Sequence, residues 1–232
     1  MNQVSGIHVQ SDFQVKIVKS DKKLSEKTSN EVEKIWREEK QKRGKHLFNG
    51  KILSMISLDG STLVGEFIDY KLLVAQLQNP ALAEEINALP VGVSGITMAS
   101  AHYLLGKRSE FVTMHPGYYE LAPSGSVSEE VMVGEVVNLK KQIFLELQEE
   151  IGIPSECVTK ITPFALVKDL DKRYVEVCFK IEVKQDVLAG VNFSKDEYQE
   201  AAWFTRSEII AHMREHKNDY VPVSLYIFNQ IL

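Results

Sequence analysis

Three glutamates that stand close together are the residues best suited to do chemistry. Glu146, Glu149 and Glu150 occupy positions i, i+3 and i+4, a spacing that gathers three carboxylates on one flank of a helix. Like charges at these spacings repel one another, and a hard divalent cation such as Mg²⁺, which prefers oxygen ligands, removes that repulsion. The pattern predicts a metal site, while the spacing alone leaves open a solvated acidic helix end.

The helix that would carry these glutamates is marked by its apolar face and by its end. Leu139, Ile143 and Leu147 recur every four residues and predict one apolar stripe. Gly152 follows as a C-terminal cap. Glu150 falls close to the stripe, and a carboxylate on the packed side of a helix needs a cation or hydrogen-bond donors.

The run from Leu145 to Pro154 resembles the second half of the Nudix box, Gly-x5-Glu-x7-Arg-Glu-U-x-Glu-Glu-x-Gly-U with U aliphatic. The residues that match are Glu146, Leu147, Glu149, Glu150, Gly152 and Ile153. Upstream, the stretch from Glu120 to Gly125 resembles the strand-to-loop entry of the same box. The chain is therefore identified as resembling the Nudix hydrolase superfamily.

The sequence departs from the box in three places. Leu145 stands where the family has Arg, and Ser124 replaces the first Gly of the entry loop. The segment between Gly125 and Glu146 is longer than the motif allows, so Gly134-Glu135 has no assigned place. These departures keep open a second possibility, a Nudix-fold nucleotide-binding or sensor protein with impaired catalysis.

The resemblance implies how the site would work. Glu146 and Glu150 would be ligands of Mg²⁺ or Mn²⁺, and Glu149 a third ligand or the group that orders the attacking water. Glu146 and Glu149 are thus the predicted catalytic residues. Gly125, in the entry loop, is predicted to bind substrate.

The order of elements along the chain predicts an α/β fold. Mixed strands and helices indicate a mixed sheet covered by helices on both faces, in agreement with the α/β/α sandwich that the resemblance implies. Strands are predicted over residues 13–18, 52–58, 62–68, 91–98, 102–107, 117–121, 160–167, 174–183 and 201–204. Helices are predicted from a cap at Ser29 or Asn30 to 42, over 69–78, 81–88 and 139–151, from a cap at Ser207 to 216, and over 223–232.

From Pro90 onward the strand signals follow one another closely, which predicts a boundary near residue 89. An N-terminal α+β extension over residues 1–88 is expected to pack on a Nudix-type domain over residues 89–232. The order of Ile35-Trp36, Leu47 to Gly50, Asp69-Tyr70 and Pro90 to Gly95 is similar to that of a Nudix branch with such an extension. Its eukaryotic members hydrolyse UDP-glucose and UDP-galactose. That branch also lacks the box Arg, and the resemblance implies a UDP-sugar substrate cut to UMP and a sugar phosphate.

Other residues are candidates for holding the substrate. Arg108 and Lys107 follow a predicted strand, and the planar fork of Arg suits a diphosphate, although a surface turn remains the alternative. Phe48, in an Asn-Gly turn of the extension, is predicted to reach the cleft or else to anchor the core. His115, beside Pro116-Gly117, could reach a phosphate, although a lone loop histidine is usually just solvated.

Four further carboxylates have no role that the sequence decides, namely Glu135, Asp196, Glu197 and Glu200. The stretch from Leu104 to Ser109 matches the start of the motif of coenzyme-A-cleaving Nudix enzymes. The second Arg of that motif would fall at Thr113, so coenzyme A diphosphatase activity is a minor alternative.

The composition argues against several other classes of protein. The chain has 232 residues, 44% of them hydrophobic, with a net charge of −5 and no basic stripe, so no nucleic-acid partner is expected. No membrane-spanning run or signal-peptide core is visible, and two cysteines are too few for a disulfide framework. A cytoplasmic monomer or homodimer acting on a small nucleoside diphosphate compound is expected.

Overall fold

Two β-sheets and five helices build the part of the chain that the structure, a computed structural model, describes, residues 4–19 and 22–231. No helix in that part is both long enough and apolar enough to cross a membrane. The helices are α1 (Glu26–Arg43), α2 (Tyr70–Gln78), α3 (Leu139–Ile151), α4 (Arg206–Glu215) and α5 (Pro222–Ile231).

The strands divide between a larger and a smaller sheet. They are β1 (Val4–His8), β2 (Gln14–Ile17), β3 (Lys51–Asp59), β4 (Thr62–Asp69), β5 (Val91–Ala99), β6 (His102–Arg108), β7 (Tyr119–Leu121), β8 (Ser124–Ser126), β9 (Met132–Val133), β10 (Val136–Val137), β11 (Val158–Asp169), β12 (Tyr174–Val183) and β13 (Tyr198–Thr205). The larger sheet has the order β1-β11-β12-β5-β6-β13, with β7 on β6 and β8 on β5. The smaller has the order β3-β4-β2-β10-β9. Each sheet contains one parallel pair, β12 with β5 and β2 with β4, so both are mixed.

Helices cover both faces of the larger sheet. Val93 of β5 is buried in one core cluster with Ile143 of α3, whereas Ile96 is buried in another with Ile227 of α5. An odd spacing along a strand puts two side chains on opposite faces, so the sheet has an apolar core on each side. The predicted mixed α/β fold with helices on both faces is confirmed.

Residues from both sides of position 89 contribute to both sheets. In the larger sheet β1 pairs with β11 along its whole length, with Gly6 opposite Val167. In the smaller sheet Lys16 of β2 stands opposite Val136 of β10. Backbone hydrogen bonds therefore join residues 1–88 to residues 89–232 in both sheets. The boundary at residue 89 stays a prediction.

The cap predicted for the first helix was wrong by one turn. Ser25, not Ser29 or Asn30, is the N-cap of α1, and its hydroxyl accepts from the Thr28 amide at 3.2 Å. A distant residue explains the earlier start, since the Glu85 carboxylate accepts hydrogen bonds from the backbone and side chain of Ser25. No local pattern shows that contact.

Other predicted bounds also changed. The cap of α4 is Thr205 and not Ser207, because Thr205 and Glu208 form a reciprocal capping box. The helix predicted over 81–88 is a short 3₁₀ turn, Pro80–Glu84. The strand Val4–His8 was not predicted, because it is an edge strand with only partial burial and no clear alternation.

A hairpin accounts for the extra length between Gly125 and Glu146. Strands β9 and β10 pair with each other and extend the smaller sheet. Gly134 lies in their turn with φ of +62°, a backbone conformation that suits glycine. Glu135, beside it, is exposed and does not line the cavity described below. The insertion leaves α3 intact and adds to the neighbouring sheet.

Candidate active site

A cavity of about 580 Å³ lies where two strands of the larger sheet separate. β5 and β6 pair only through the residues next to their hairpin, Met98 with Tyr103 and Ala99 with His102. Beyond that point β5 pairs with β8, and β6 pairs with β7. All four strands supply lining residues, as does α3. The split in the sheet therefore creates the space in which a substrate can bind.

The N-terminal part of the chain also lines this cavity. Its lining residues are Arg43, Lys45, His46, Tyr70 and Leu73. The guanidinium of Arg43 donates to the carbonyl of Phe111 and to the hydroxyl of Thr113, both at 2.8 Å. These bonds tie the end of α1 to the loop after β6. Cationic side chains thereby stand in the same cavity as the carboxylates.

The three glutamates of α3 come together on this cavity, as their spacing predicts. Glu146, Glu149 and Glu150 all line it. α3 ends directly after them, with Gly152 in the left-handed conformation at φ of +73° and its amide donating to the carbonyl of Gln148. Glu149 is exposed, whereas Glu150 is buried. The helix thus presents one accessible and one enclosed carboxylate.

Glu150 is held by donors from two other elements. Its Oε2 accepts from the amide of Ser124 at 3.1 Å and from the hydroxyl of Tyr198 at 3.2 Å. Burial raises the pKa of Glu150 well above its usual range, and the neighbouring Glu146 and Glu120 raise it further. A nearby cation would favour the ionised form.

Glu146 lies directly over Gly125. Its Oε1 accepts from Nε2 of Gln142 at 2.6 Å, and a Cβ on Gly125 would meet that same oxygen at 2.1 Å. Burial raises the pKa of Glu146 to about 8, with Glu149 adding to the rise and Gln142 opposing it. Gly125 therefore leaves the room that the carboxylate of Glu146 occupies.

Glu120 joins the site, although sequence reasoning gave it no role. Its Oε1 accepts from Nη1 of Arg108 at 2.5 Å and from the hydroxyls of Tyr198 at 2.8 Å and Ser124 at 3.0 Å. Glu120 is 2% exposed. A single acidic residue in a short strand gives no warning of this network, because its partners come from three other elements.

Arg108 enters the cavity, but Lys107 does not. Adjacent residues of a strand point to opposite faces, and Lys107 stands outside the lining with Nζ 5.4 Å from the ring centre of Tyr119. Nη1 of Arg108 is already paired with Glu120. The strand therefore places only Arg108 of the basic pair in the cavity, and a substrate contact by Lys107 stays a prediction without support from this arrangement.

Phe48 also lies away from the cavity. It is 78% exposed and is absent from the lining, whereas Lys45 and His46 of the same segment line it. Its ring folds back over Gly50, whose added Cβ would stand 3.5 Å from Phe48 Cε1. The 3₁₀ turn Gly44–His46, not the Asn-Gly turn, reaches the cavity. A substrate contact by Phe48 therefore stays a prediction without support from this arrangement.

The acidic loop before β13 divides between the cavity and the surface. Asp196 and Glu197 line the cavity, and Glu200 does not. Burial raises the pKa of Glu197, which Arg108 opposes. Asp196 is exposed and stands 3.5 Å from Nδ1 of His46. The loop therefore adds two carboxylates to those of α3.

A divalent cation fits the chemistry of this donor set, although the side chains are not arranged around one point. Among residues 4–19 and 22–231, no three side chains of the metal-ligating types stand together in a way that would hold an ion. Burial and mutual repulsion nevertheless raise the pKa of both Glu146 and Glu150. Such carboxylates bind a hard cation well.

No protein-family model matches the chain, and no curated protein matches it. Among solved structures, it is similar to a bifunctional NMN adenylyltransferase/ADP ribose pyrophosphatase from Francisella tularensis, with TM-score 0.48 and 16% identity over 70% of this chain and 47% of that one. It therefore spans about half the length of that enzyme.

Two further solved structures are similar to smaller parts of the chain. A MutT Nudix hydrolase from Burkholderia pseudomallei has TM-score 0.39 and 20% identity over 53% of this chain and 94% of that one. An Ap4A hydrolase from C. elegans has TM-score 0.39 and 16% identity over 53% and 84%. TM-scores below 0.5 at 20% identity or less assign no activity to this chain.

Proposed function

We propose that this protein is a Nudix-type hydrolase that uses Mg²⁺ or Mn²⁺ to cut the diphosphate bond of a nucleoside diphosphate linked to a second group. The observation that carries the proposal is the shared cavity of the α3 carboxylates, Glu146, Glu149 and Glu150, and the cationic side chains of Arg43 and Lys45. The oxygens of a diphosphate carry negative charge, which a metal ion held by the carboxylates would neutralise together with the basic side chains.

In this proposal Glu146, Glu149 and Glu150 hold the cation. When bound, Mg²⁺ or Mn²⁺ screens the diphosphate and lowers the pKa of a water molecule. Glu149 is the exposed member of the three, so its carboxylate is the group proposed to accept the proton of the attacking water. Glu150 is kept in place by Ser124 and Tyr198.

Arg108 is proposed to bind the diphosphate while it holds Glu120. Its bonds to Glu120, Ser124 and the carbonyl of Met114 use Nη1 and Nε. A guanidinium has five N–H donors in a planar fork, so Nη2 is the group proposed for a phosphate oxygen. Gly125 lines the cavity beside Glu146 and is proposed to contact the substrate through its own backbone.

The finer proposal is that the substrate is a UDP-sugar, cut to UMP and a sugar phosphate. Its support is the resemblance of the N-terminal residues to the extended Nudix branch. A second candidate function is nucleotide binding without catalysis. Two observations favour it: Leu145 stands where the box has Arg, and Glu146 is hydrogen-bonded to Gln142 in an arrangement that does not surround a cation.

The test is a hydrolysis screen over nucleoside diphosphate sugars, ADP-ribose, dinucleoside polyphosphates and coenzyme A, with Mg²⁺ and with Mn²⁺. We expect turnover of at least one compound, a melting temperature raised by the cation, and loss of both effects in Glu150→Gln. Glu156→Gln, an exposed glutamate outside the cavity, is the matched control. Binding of nucleotide without turnover would instead support the second candidate.

We also propose that residues 1–88 form an extension that folds only together with residues 89–232. The pairing of β1 with β11 and of β2 with β10 supports this, as does the cluster of α1 and α2, which is too small to be a stable core alone. A chain lacking residues 1–88 is expected to be insoluble. A folded, fully active truncated chain would contradict the proposal.

A further inference from the structure

A second polar group faces the cavity, formed by Tyr174, Glu176 and His115. Tyr174 and Glu176 are two residues apart in β12 and therefore point to the same face. Tyr174 is 5% exposed, and among the described residues its hydroxyl has no hydrogen-bond partner. A buried hydroxyl without a partner destabilises the fold. Such groups are rare in native proteins and call for an explanation.

His115 also has a buried polar atom without a hydrogen-bond partner, and its backbone conformation is unusual. Its Nε2 is buried, and no described residue bonds to it. Its φ is +51°, which is uncommon for a residue other than glycine and is found where a binding site constrains the chain. Burial, with Arg108 adding to the effect, lowers the pKa of His115 to about 4. The ring is therefore neutral near pH 7, and Nε2 can donate or accept according to its tautomer.

Glu176 supplies acceptors beside these two rings. The hydroxyl of Ser94 donates to its Oε2, which leaves Oε1 for another donor. Glu176 stands opposite Gly92 in the parallel register of β12 and β5. A Cβ on Gly92 would lie 3.6 Å from Cγ of Glu176 and 3.0 Å from the carbonyl oxygen of Gly125. Both Gly92 and Glu176 line the cavity.

We propose that Tyr174, His115 and Glu176 form a subsite for the hydroxyl groups of a sugar ring in the substrate. Each sugar hydroxyl donates and accepts a hydrogen bond, and the subsite offers a hydroxyl, a neutral imidazole nitrogen and a carboxylate oxygen. A phosphate would find no positive charge on any of these three side chains, because the imidazole of His115 is neutral. A flat base would find no parallel slot, because the rings of His115 and Tyr174 are inclined at 66° with centroids 6.0 Å apart.

This subsite deepens the proposed function and rests on it for the placement of the rest of the substrate. Two parts of a nucleotide sugar have the required chemistry, the ribose of the nucleoside and the sugar on the second phosphate. Both are rings with neighbouring hydroxyl groups, so the structure assigns the shared chemistry, and the compounds used in the test separate the two sources.

The test compares Tyr174→Phe with the wild type by titration calorimetry in the presence of EDTA, so that no turnover is needed. The ligands are UDP-glucose with UDP, ADP-ribose with ADP, and 2′-deoxy-UDP. We expect Tyr174→Phe to weaken the binding of at least one sugar nucleotide about tenfold, the loss typical of one hydrogen bond. The control, Tyr103→Phe, changes a tyrosine that packs on Phe228 outside the cavity and should bind as the wild type does.

The pattern across ligands identifies the sugar. A loss confined to UDP-glucose or ADP-ribose places the second sugar in the subsite. An equal loss for the matching nucleoside diphosphate, absent for 2′-deoxy-UDP, places the ribose there. Melting of the ligand-free variant provides a separate check, because removing a hydroxyl that has no partner should not lower the melting temperature.

Three results would overturn the subsite: unchanged affinity for every ligand, a lowered melting temperature of ligand-free Tyr174→Phe, or no binding of any of these compounds to the wild type. Failure of the proposed hydrolase function looks different. In that case the sugar nucleotides bind and Tyr174→Phe weakens them, but no compound in the hydrolysis screen is turned over with Mg²⁺ or Mn²⁺.

Discussion

Replacing Gly125 by alanine should displace the carboxylate of Glu146 while the fold stays almost as stable. The added Cβ would lie 2.1 Å from Oε1 and 2.2 Å from Cδ of Glu146, closer than any van der Waals contact allows. The carboxylate must therefore move by about 1 Å, and since it is the end of a flexible side chain, it can do so without moving the backbone.

Two magnitudes follow from this displacement. The move breaks the 2.6 Å hydrogen bond from Gln142 to Glu146, so we expect the free energy of unfolding to fall by about 1 kcal/mol. A catalytic group displaced by about 1 Å can lose about 100-fold in rate. We therefore expect Gly125→Ala to fold almost normally and to lose about 100-fold in kcat/KM on the best substrate of the screen.

The assay pairs denaturant unfolding with steady-state kinetics in Mg²⁺. Gly50→Ala is the matched control, because its Cβ would come no closer than 3.5 Å to any atom, a ring carbon of Phe48, and it should keep full activity. Retention of full activity by Gly125→Ala would refute the placement of Glu146 in the reaction. Unfolding of Gly125→Ala would refute the claim that only a side chain must move.

Three further variants, with Lys107→Met as the control for the first, test the charges of the site. Arg108→Met leaves Glu120 buried without its cation and should lower the free energy of unfolding by about 3–5 kcal/mol, measured with urea, whereas Lys107→Met on the outer face should change it by less than about 0.5 kcal/mol. Leu145→Arg should not raise kcat/KM, because Arg108 already supplies a buried cation, and a severalfold gain would contradict this. Burial raises the pKa of Glu176 from its usual 4.5 to about 7, so its contribution to stability, about 3 kcal/mol, is present below pH 4.5 and is lost as the pH rises through 7. Glu176→Gln should flatten that decline in metal-free protein, and an unchanged urea midpoint profile would count against it.

Helix α3 shows how much of the structure a local sequence pattern can predict. A repeat of apolar residues and a following glycine predict α3 and its end, because both depend on contacts within one turn. The same local rules place Glu146, Glu149 and Glu150 on one flank, and all three line the cavity. Most strand positions also follow from alternation, with ends displaced by at most three residues.

The network around Glu120 depended on the tertiary structure. Arg108, Ser124 and Tyr198 come from β6, β8 and β13, and no spacing in the sequence joins them. The same is true of Glu85, which caps α1 from a distant turn. Contacts between residues far apart in the chain are set by how the strands pair, which a single sequence does not reveal.

The sequence by itself thus determined the chemistry that the chain can offer, a helix with three carboxylates, and the mixed α/β class of its fold. The tertiary structure alone decided which side chains meet. It turned Lys107 and Phe48 away from the cavity and brought Arg43 and Lys45 to it. It also buried the hydroxyl of Tyr174 and Nε2 of His115, which no described residue satisfies. The physical reason is that periodicity along a chain fixes the face on which a side chain lies, whereas the split between β5 and β6 determines which faces enclose a common space.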